Sequence, residues 1–327
     1  MKAAMFREYG PPDVVHIEDV EKPVAKENEV LIRVRAASVN PLDWHRVRGK
    51  PLVMRIAGGL RRPQPSRLGC DLAGQVEAIG RGVTRFKPGD EVFGGGLDLG
   101  TCADYSCAAE TAVITKPRNV TFEQAAAAPV AAFTALQGLR DKGRVQAGQQ
   151  VLINGAAGGV GSFAVQIAKW LGAEVTGVCS TRNVELVRST GADRVIDYTK
   201  EDFTQSAKRY DAILDCAGNH SLSALRRVLK REGICIIATG PDGPWLGPLA
   251  RFISAFAMSR FASQKFVPFI ANPNAGDLTV IGELMAAGKL TPVIDRCYRL
   301  EEVAEAIRYL EQGHARGKVV ITVGANG

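Results

Sequence analysis

The run Val151-Leu152-Ile153-Asn154-Gly155-Ala156-Ala157-Gly158-Gly159-Val160-Gly161-Ser162 limits this chain more than any other stretch. Val151 to Ile153 has the short apolar pattern of a buried strand. After the glycine turn, Phe163, Val165, Gln166, Ile167, Ala168 and Leu171 continue at helical spacing. Strand, glycine turn and helix in that order build a pyrophosphate seat. Unpaired N–H groups and the positive end of the helix dipole face the phosphates, and glycines let the backbone approach them. Aligned on G-x-G-x-x-G, the segment reads Ala156-Ala157-Gly158-Gly159-Val160-Gly161, with alanine in the first glycine's place. An ordinary βα turn is the plainer alternative.

The end of the next strand selects between cofactors. Ala173 to Val178 alternates like a strand and stops at Cys179-Ser180-Thr181-Arg182-Asn183. An NAD enzyme carries Asp or Glu about 20 residues past its glycines, to accept from the ribose 2′-OH. Here Ser180 stands in that place and Arg182 follows. A hydroxyl and a guanidinium suit a 2′-phosphate, which a carboxylate would repel. The expectation is NADPH rather than NADH; alternatively, Arg182 is a solvated residue at the next helix start.

At 327 residues the chain has room for two domains, each with a core. No apolar run reaches the ~18 residues of a membrane span and the start, Met1 to Phe6, reads as a strand, so a cytosolic location is expected. Seven scattered cysteines without a C-x-x-C read as reduced thiols used as small apolar residues. The net charge of +7 is carried by one stretch: Arg46, Arg48, Lys50, Arg55, Arg61, Arg62 and Arg67, with no acidic residue among them. The rest of the chain has 34 charges of each sign. Such a stretch is either a positive rim that attracts phosphates or an anionic substrate, or a solvated loop. Nucleic acid is not expected, since only Trp44 offers an aromatic face nearby.

Residues 1 to about 120 are β-rich, with strand patterns at Val30–Ala36 and Ala73–Ile79, a turn at Arg85–Asp90 that feeds another strand, and a further strand from Ala103. From Thr121, a candidate N-cap, an alanine-rich helix begins. Strands at 150–154, 174–178, 194–196, 211–215, 234–238 and 265–270 then alternate with helices, which implies a doubly wound parallel sheet. Leu249 to Phe261 is an apolar helix that packs in the core or cleft, lies on a membrane surface, or meets a second copy. Helices at 281–287 and 301–312 and a strand at 318–323 complete the chain.

Taken together, Asn40-Pro41-Leu42-Asp43, Gly69-Cys70-Asp71-Leu72-Ala73-Gly74-Gln75-Val76, Lys87-Pro88-Gly89-Asp90-Glu91-Val92, Ala156–Gly161, Gly191-Ala192-Asp193, Ile196-Asp197-Tyr198 and Gly317-Lys318 resemble the medium-chain dehydrogenase/reductase superfamily. Within it, the zinc-free quinone oxidoreductase-like branch is the nearest likeness, and it covers essentially the whole chain. The resemblance implies a GroES-like, β-rich catalytic domain over 1–121 and 272–327, and a Rossmann nucleotide-binding domain over 122–271. Where the zinc alcohol dehydrogenases have their first cysteine ligand, this chain has Asn40. Where they have His-Glu it has Cys70-Asp71, and the third ligand falls near Val130. The four-cysteine lobe of the structural zinc is absent. A rearranged site from Asp43, His45, Cys70 and Asp71 is the alternative to no metal.

The resemblance also implies site residues. Asn40 would face the nicotinamide and substrate, or serve only as a turn before Pro41, and Thr134 would touch the nicotinamide or lie buried in its helix. Ala157, Gly158, Gly159 and Val160 would hold the pyrophosphate with Lys318 nearby; Ser180, Arg182 and Tyr198 would surround the 2′-phosphate. Ala217 and Thr239 end strands on the ligand side. His45, with Asp43 two residues earlier, is a candidate proton donor, solvent being the other source.

Without a Lewis acid the substrate must already be electrophilic, as quinones and α,β-unsaturated carbonyls are. The expected activity is therefore NADPH-dependent reduction of such small molecules. Zinc-free alcohol oxidation, and a protein that binds NADPH with little catalysis in a structural or membrane-associated role, are the alternatives. A homodimer or a monomer is expected.

Overall fold

The computed structural model describes residues 1–324 except Val53, Pro65, Asp98 and 239–246. The chain divides into two compact units, Met1–Val130 with Pro273–Gly327, and Ala131–Asn272. The first boundary falls nine residues beyond the one expected from the change of texture at 121/122. The helix Phe122–Ala127 packs on strands Glu29–Val39 and Asp71–Ile79, and so belongs to the β-rich unit. Thr121 caps that helix as its sequence suggests. Its hydroxyl accepts from Gln124 N at 3.2 Å and its own N–H donates to Gln124 Oε1 at 3.0 Å.

In the first unit the central strand is Glu29–Val39, antiparallel to Asp71–Ile79 on one side and to Lys318–Thr322 on the other. Arg33 and Arg35 point outward between Ile32, Val34 and Ala36, the period of two that a half-covered sheet imposes. Beyond Ala36 both faces are buried, and this end of the strand delivers Ser38 and Asn40 into the interior. Lys318–Thr322 thus brings the C-terminal part of the chain back beside residues 36–39.

The second unit is a six-stranded parallel sheet in the order Arg194–Asp197, Glu174–Cys179, Gln150–Asn154, Tyr210–Asp215, Leu229–Ile237, Lys265–Pro268. The order reverses between Gln150–Asn154 and Tyr210–Asp215. Ligands bind at the carboxyl ends beside such a switch point, because the helices that follow the two strands leave to opposite faces. Gly155 turns there with φ +86°, and the helix Gly159–Trp170 starts four residues later. A Cβ on Gly161 would lie 2.1 Å from Gly155 O and 2.8 Å from Ala156 Cα. Both are backbone atoms, so neither side can yield. Gly161→Ala is therefore expected to push the helix off the strand, lower stability by about 1–3 kcal/mol and weaken cofactor binding; unchanged urea unfolding would show that the contact is slack.

The apolar segment near 249–261 is the helix Gly247–Phe261. Ala255 and Met258 pack on the second unit's core, whereas Ile253 and Phe256 stay exposed. Among the described residues no helix is long and apolar enough to cross a membrane.

Candidate active site

The segments at which the resemblance places zinc ligands, Asn40, Cys70-Asp71 and Val130, come together through Asp71. Asn40 follows the central strand, Asp71 opens the neighbouring one, and Val130 lies in the first turn of the helix Pro129–Leu136. The Asn40 amide Nδ2 donates to Asp71 Oδ2 at 2.8 Å, and Val130 N donates to Asp71 Oδ1 at 2.9 Å. Ser38 Oγ donates to Asp71 Oδ2, also at 2.8 Å. The cation among them is an ammonium. Lys318 Nζ donates to Asn40 Oδ1 at 2.5 Å and lies 3.4 Å from Asp71 Oδ2. Asp71 is fully buried, and Asn40 and Lys318 are each only 3% exposed. Lys318, expected near a pyrophosphate, has its charge paired inside the first unit. Neither partner of such a pair survives burial alone, because an isolated charge in a low dielectric costs several kcal/mol. Sequence reading missed the pair because its members lie 247 residues apart and only the Lys318–Thr322 strand brings them together.

Asp43 and His45 sit on the helix Pro41–Arg48, which begins at Asn40. Both Asp43 oxygens are taken by backbone: Oδ2 accepts from Asn40 N at 2.8 Å and Oδ1 from Gly69 N at 3.1 Å. The carboxylate caps the helix and ties it to the Gly69 turn, so its evident work is to hold Asn40 in place. His45 lies further along the helix, with Nδ1 2.8 Å from Lys50 O and its ring stacked on Trp44 at 3.6 Å between centroids.

Burial lifts the Asp43 carboxyl from 3.8 to about 6, although the N–H groups of Asn40 and Gly69 pull the other way. Since the folded value is the higher, Asp43 contributes stability below about pH 4 that is lost as the pH rises through about 6. The stability advantage of the wild type over Asp43→Asn is therefore expected to shrink between about pH 4 and 7, by up to roughly 3 kcal/mol. Urea unfolding at the two pH values measures it, and an advantage that grew with pH would reverse the assignment.

In the second unit the expected cofactor residues gather along the carboxyl edge of the sheet. Gly158, Gly159 and Val160 are partly exposed at the start of the Gly159–Trp170 helix, with Ala157 buried behind them. Ser162 N returns to Gly158 O, so the N–H groups of residues 159–161 precede the helix's own hydrogen bonding. Ala217 lies against Gly155, 3.5 Å from the place a Cβ there would take. Ser180 and Arg182 follow Glu174–Cys179, and Tyr198 follows the adjacent strand. The parallel register pairs Cys179 with Asp197, and Tyr198 N donates to Cys179 O at 3.0 Å, so all three share one corner. Asp197 is in that corner too. Its oxygens accept from Thr181 Oγ1 at 2.6 Å and Thr199 Oγ1 at 2.8 Å, which hold the carboxyl down to about 2. Thr134 stands half-buried on the helix Pro129–Leu136, and Thr239 lies outside the described residues.

A buried network under the switch point escaped the sequence reading altogether. Asn154 Nδ2 donates to Asp215 Oδ1 at 2.8 Å and to Asn219 Oδ1 at 2.9 Å. Arg251 donates to Asp215 Oδ2 and, at 2.9 Å, to His220 O. Asn154 and Asp215 end the two strands that flank the reversal, and they are opposite each other in register.

Comparison with known proteins agrees with this architecture. Residues 26–138 match the alcohol dehydrogenase GroES-like domain family, and residues 190–321 the zinc-binding dehydrogenase family. The chloroplast envelope quinone oxidoreductase homolog of Arabidopsis thaliana is 34% identical, over 98% of each chain. The chloroplastic NADPH-dependent alkenal/one oxidoreductase of the same plant is 35% identical, over 98% of this chain and 79% of that protein. The solved quinone oxidoreductase of Coxiella burnetii superposes with a TM-score of 0.85 at 32% identity, over 99% of both chains. The two plant relatives overturn the expectation of a cytosolic protein, since both are chloroplast proteins. Fold, motifs and relatives agree: the chain belongs to the quinone oxidoreductase-like branch of the medium-chain dehydrogenase/reductase superfamily.

Proposed function

We infer that this protein transfers hydride from NADPH to quinones or α,β-unsaturated carbonyl compounds, and does so without zinc. The observation that carries the reading is the ammonium of Lys318 on Asn40 and Asp71. A zinc ion fits these donors poorly. A positive charge already occupies the carboxylate, and Asn40 Oδ1 is taken. Among the described residues, no group of three or more His, Cys, Asp or Glu side chains is placed to hold a metal ion. Without such a Lewis acid, an acceptor that delocalises the incoming charge by itself is the better substrate. The names of the alkenal/one and quinone oxidoreductase relatives support that choice.

The free N–H groups at the start of the Gly159–Trp170 helix fit a pyrophosphate, and Ser180, Arg182 and Tyr198 fit a 2′-phosphate. NADPH, when bound, supplies the hydride. The chain's own residues fix its orientation and offer Asn40 as a hydrogen-bond donor, held by the Asp43 cap. The product takes its proton from His45 or from solvent.

The test is oxidation of NADPH and of NADH by chelator-treated protein, with 1,4-benzoquinone and trans-2-hexenal as acceptors. Turnover with NADPH that survives chelation supports the reading. Activity that returns only with added zinc overturns the metal-free part, and tight NADPH binding without turnover on either acceptor overturns the activity.

A further inference from the structure

We propose that Lys318 and Asp71 are positioning residues that lock the Asn40 carboxamide so that it presents only an N–H, the donor for the oxyanion that forms on the acceptor's carbonyl. The inference deepens the proposed reductase activity and rests on it.

A carboxamide has an oxygen end that accepts and a nitrogen end that donates, and in most settings it can turn by 180° to show either. Asn40 cannot. An ammonium only donates, and Lys318 Nζ sits 2.5 Å from Oδ1. Asp71 receives only donors, from Ser38, Asn40, Val130 and Lys318, the arrangement of an ionised carboxylate. Turning the amide would set its NH2 against an NH3⁺ and its oxygen against that carboxylate, both repulsive in a buried site. One Nδ2–H is used on Asp71, at 2.8 Å. No described residue takes the other, and a buried N–H without an acceptor is costly until a ligand oxygen meets it.

Lys318 does more than choose the orientation. A cation bound to Oδ1 draws electron density along the O–C–N π system and makes the remaining N–H a stronger donor, as in any polarised hydrogen-bond chain. When hydride adds to the β-carbon of an enone, the π electrons move onto the carbonyl oxygen and leave an enolate. Addition to a quinone leaves a phenolate. A fixed donor at that oxygen stabilises the charge as it develops, and a proton from solvent or an acid then completes the reduction. Lys318 needs no contact with the substrate.

The mechanism makes the two residues non-additive. Single-turnover reduction of trans-2-hexenal by NADPH is measured for wild type, Asn40→Ala, Lys318→Met and the double variant, with NADPH affinity measured separately by fluorescence. Asn40→Ala is expected to slow hydride transfer about 10²-fold. Lys318→Met should slow it about tenfold, with NADPH affinity changed less than about threefold, and should add nothing in the Asn40→Ala background. A further loss in that background, or a fall in NADPH affinity that matches the rate, overturns the proposal and places Lys318 on the cofactor. Because Lys318→Met leaves Asp71 buried and unpaired, Lys318→Met with Asp71→Asn is the companion variant. It removes both charges together and should lose rate as Lys318→Met does. If the wild type reduces nothing, the activity reading has failed, and the lock is judged by NMR alone. The Asn40 side-chain NH2 should show one shifted, slowly exchanging proton that Lys318→Met releases; no change would overturn the lock.

Discussion

Arg251→Met is expected to lower the stability of the second unit by about 3–5 kcal/mol, the usual cost of breaking a buried ion pair from one side. Asp215 has no exposure at all, and Arg251 keeps 9% of its own. The substitution leaves the carboxylate with hydrogen bonds from Asn154 and from the N–H groups of Ala217 and Gly218, at 2.8, 3.3 and 3.0 Å, but without its counter-charge. The damage should not stay local. Asp215 closes the strand beside the switch point, and the loop from Cys216 to His220 is tied to the helix Gly247–Phe261 through Arg251. NADPH affinity should therefore fall along with stability. Urea unfolding and a fluorescence titration give the two numbers. Arg251→Met with Asp215→Asn should recover part of the stability, because the amide removes the uncompensated charge and keeps an oxygen for the Asn154, Ala217 and Gly218 donors. A single substitution that cost under about 1 kcal/mol would mean that water reaches the pair.

The second large effect concerns cofactor choice. Arg182→Ala should weaken NADPH binding by about 10- to 100-fold, the worth of one or two charge-assisted hydrogen bonds to a phosphate, and leave NADH binding nearly unchanged. Only NADPH carries the 2′-phosphate. The geometry behind the expectation is the shared corner of Ser180, Arg182 and Tyr198. Asp197 is in that corner as an ionised carboxylate, held by two threonine hydroxyls at 2.6 and 2.8 Å, so a phosphate there depends on the Arg182 guanidinium to offset its charge. Parallel titrations with the two dinucleotides decide the matter, and equal losses would take Arg182 out of the 2′-phosphate site.

What a single sequence makes legible depends on whether the cause is local. The strand, turn and helix around Gly155–Gly161 were readable because the glycine spacing, the apolar strand and the helical period all lie within about twenty residues. The Thr121 cap was readable for the same reason. The helix Gly247–Phe261 was legible as an element but not in its use, since its pattern does not tell that Arg251 turns inward to Asp215 while Phe256 turns outward. The first unit boundary was misjudged because an alanine-rich helix announces its period and not its partner; the Glu29–Val39 and Asp71–Ile79 strands decide which unit owns it.

The candidate site divides along the same line. Sequence by itself determined the residues that would crowd a phosphate, the missing zinc ligands at Asn40, Cys70 and Val130, and the absence of an acidic residue at Ser180. It named His45, with Asp43 two residues earlier, as a candidate proton donor beside Asn40. Only the tertiary structure separated them, by giving both Asp43 oxygens to backbone N–H groups and placing His45 against Lys50 and Trp44. Only the tertiary structure put Lys318 on Asn40 and Asp71. The physical reason is range. Capping, glycine conformation and hydrophobic period act between near neighbours in the chain, whereas the charge that a buried carboxylate needs must be found across a sheet, wherever folding brings it.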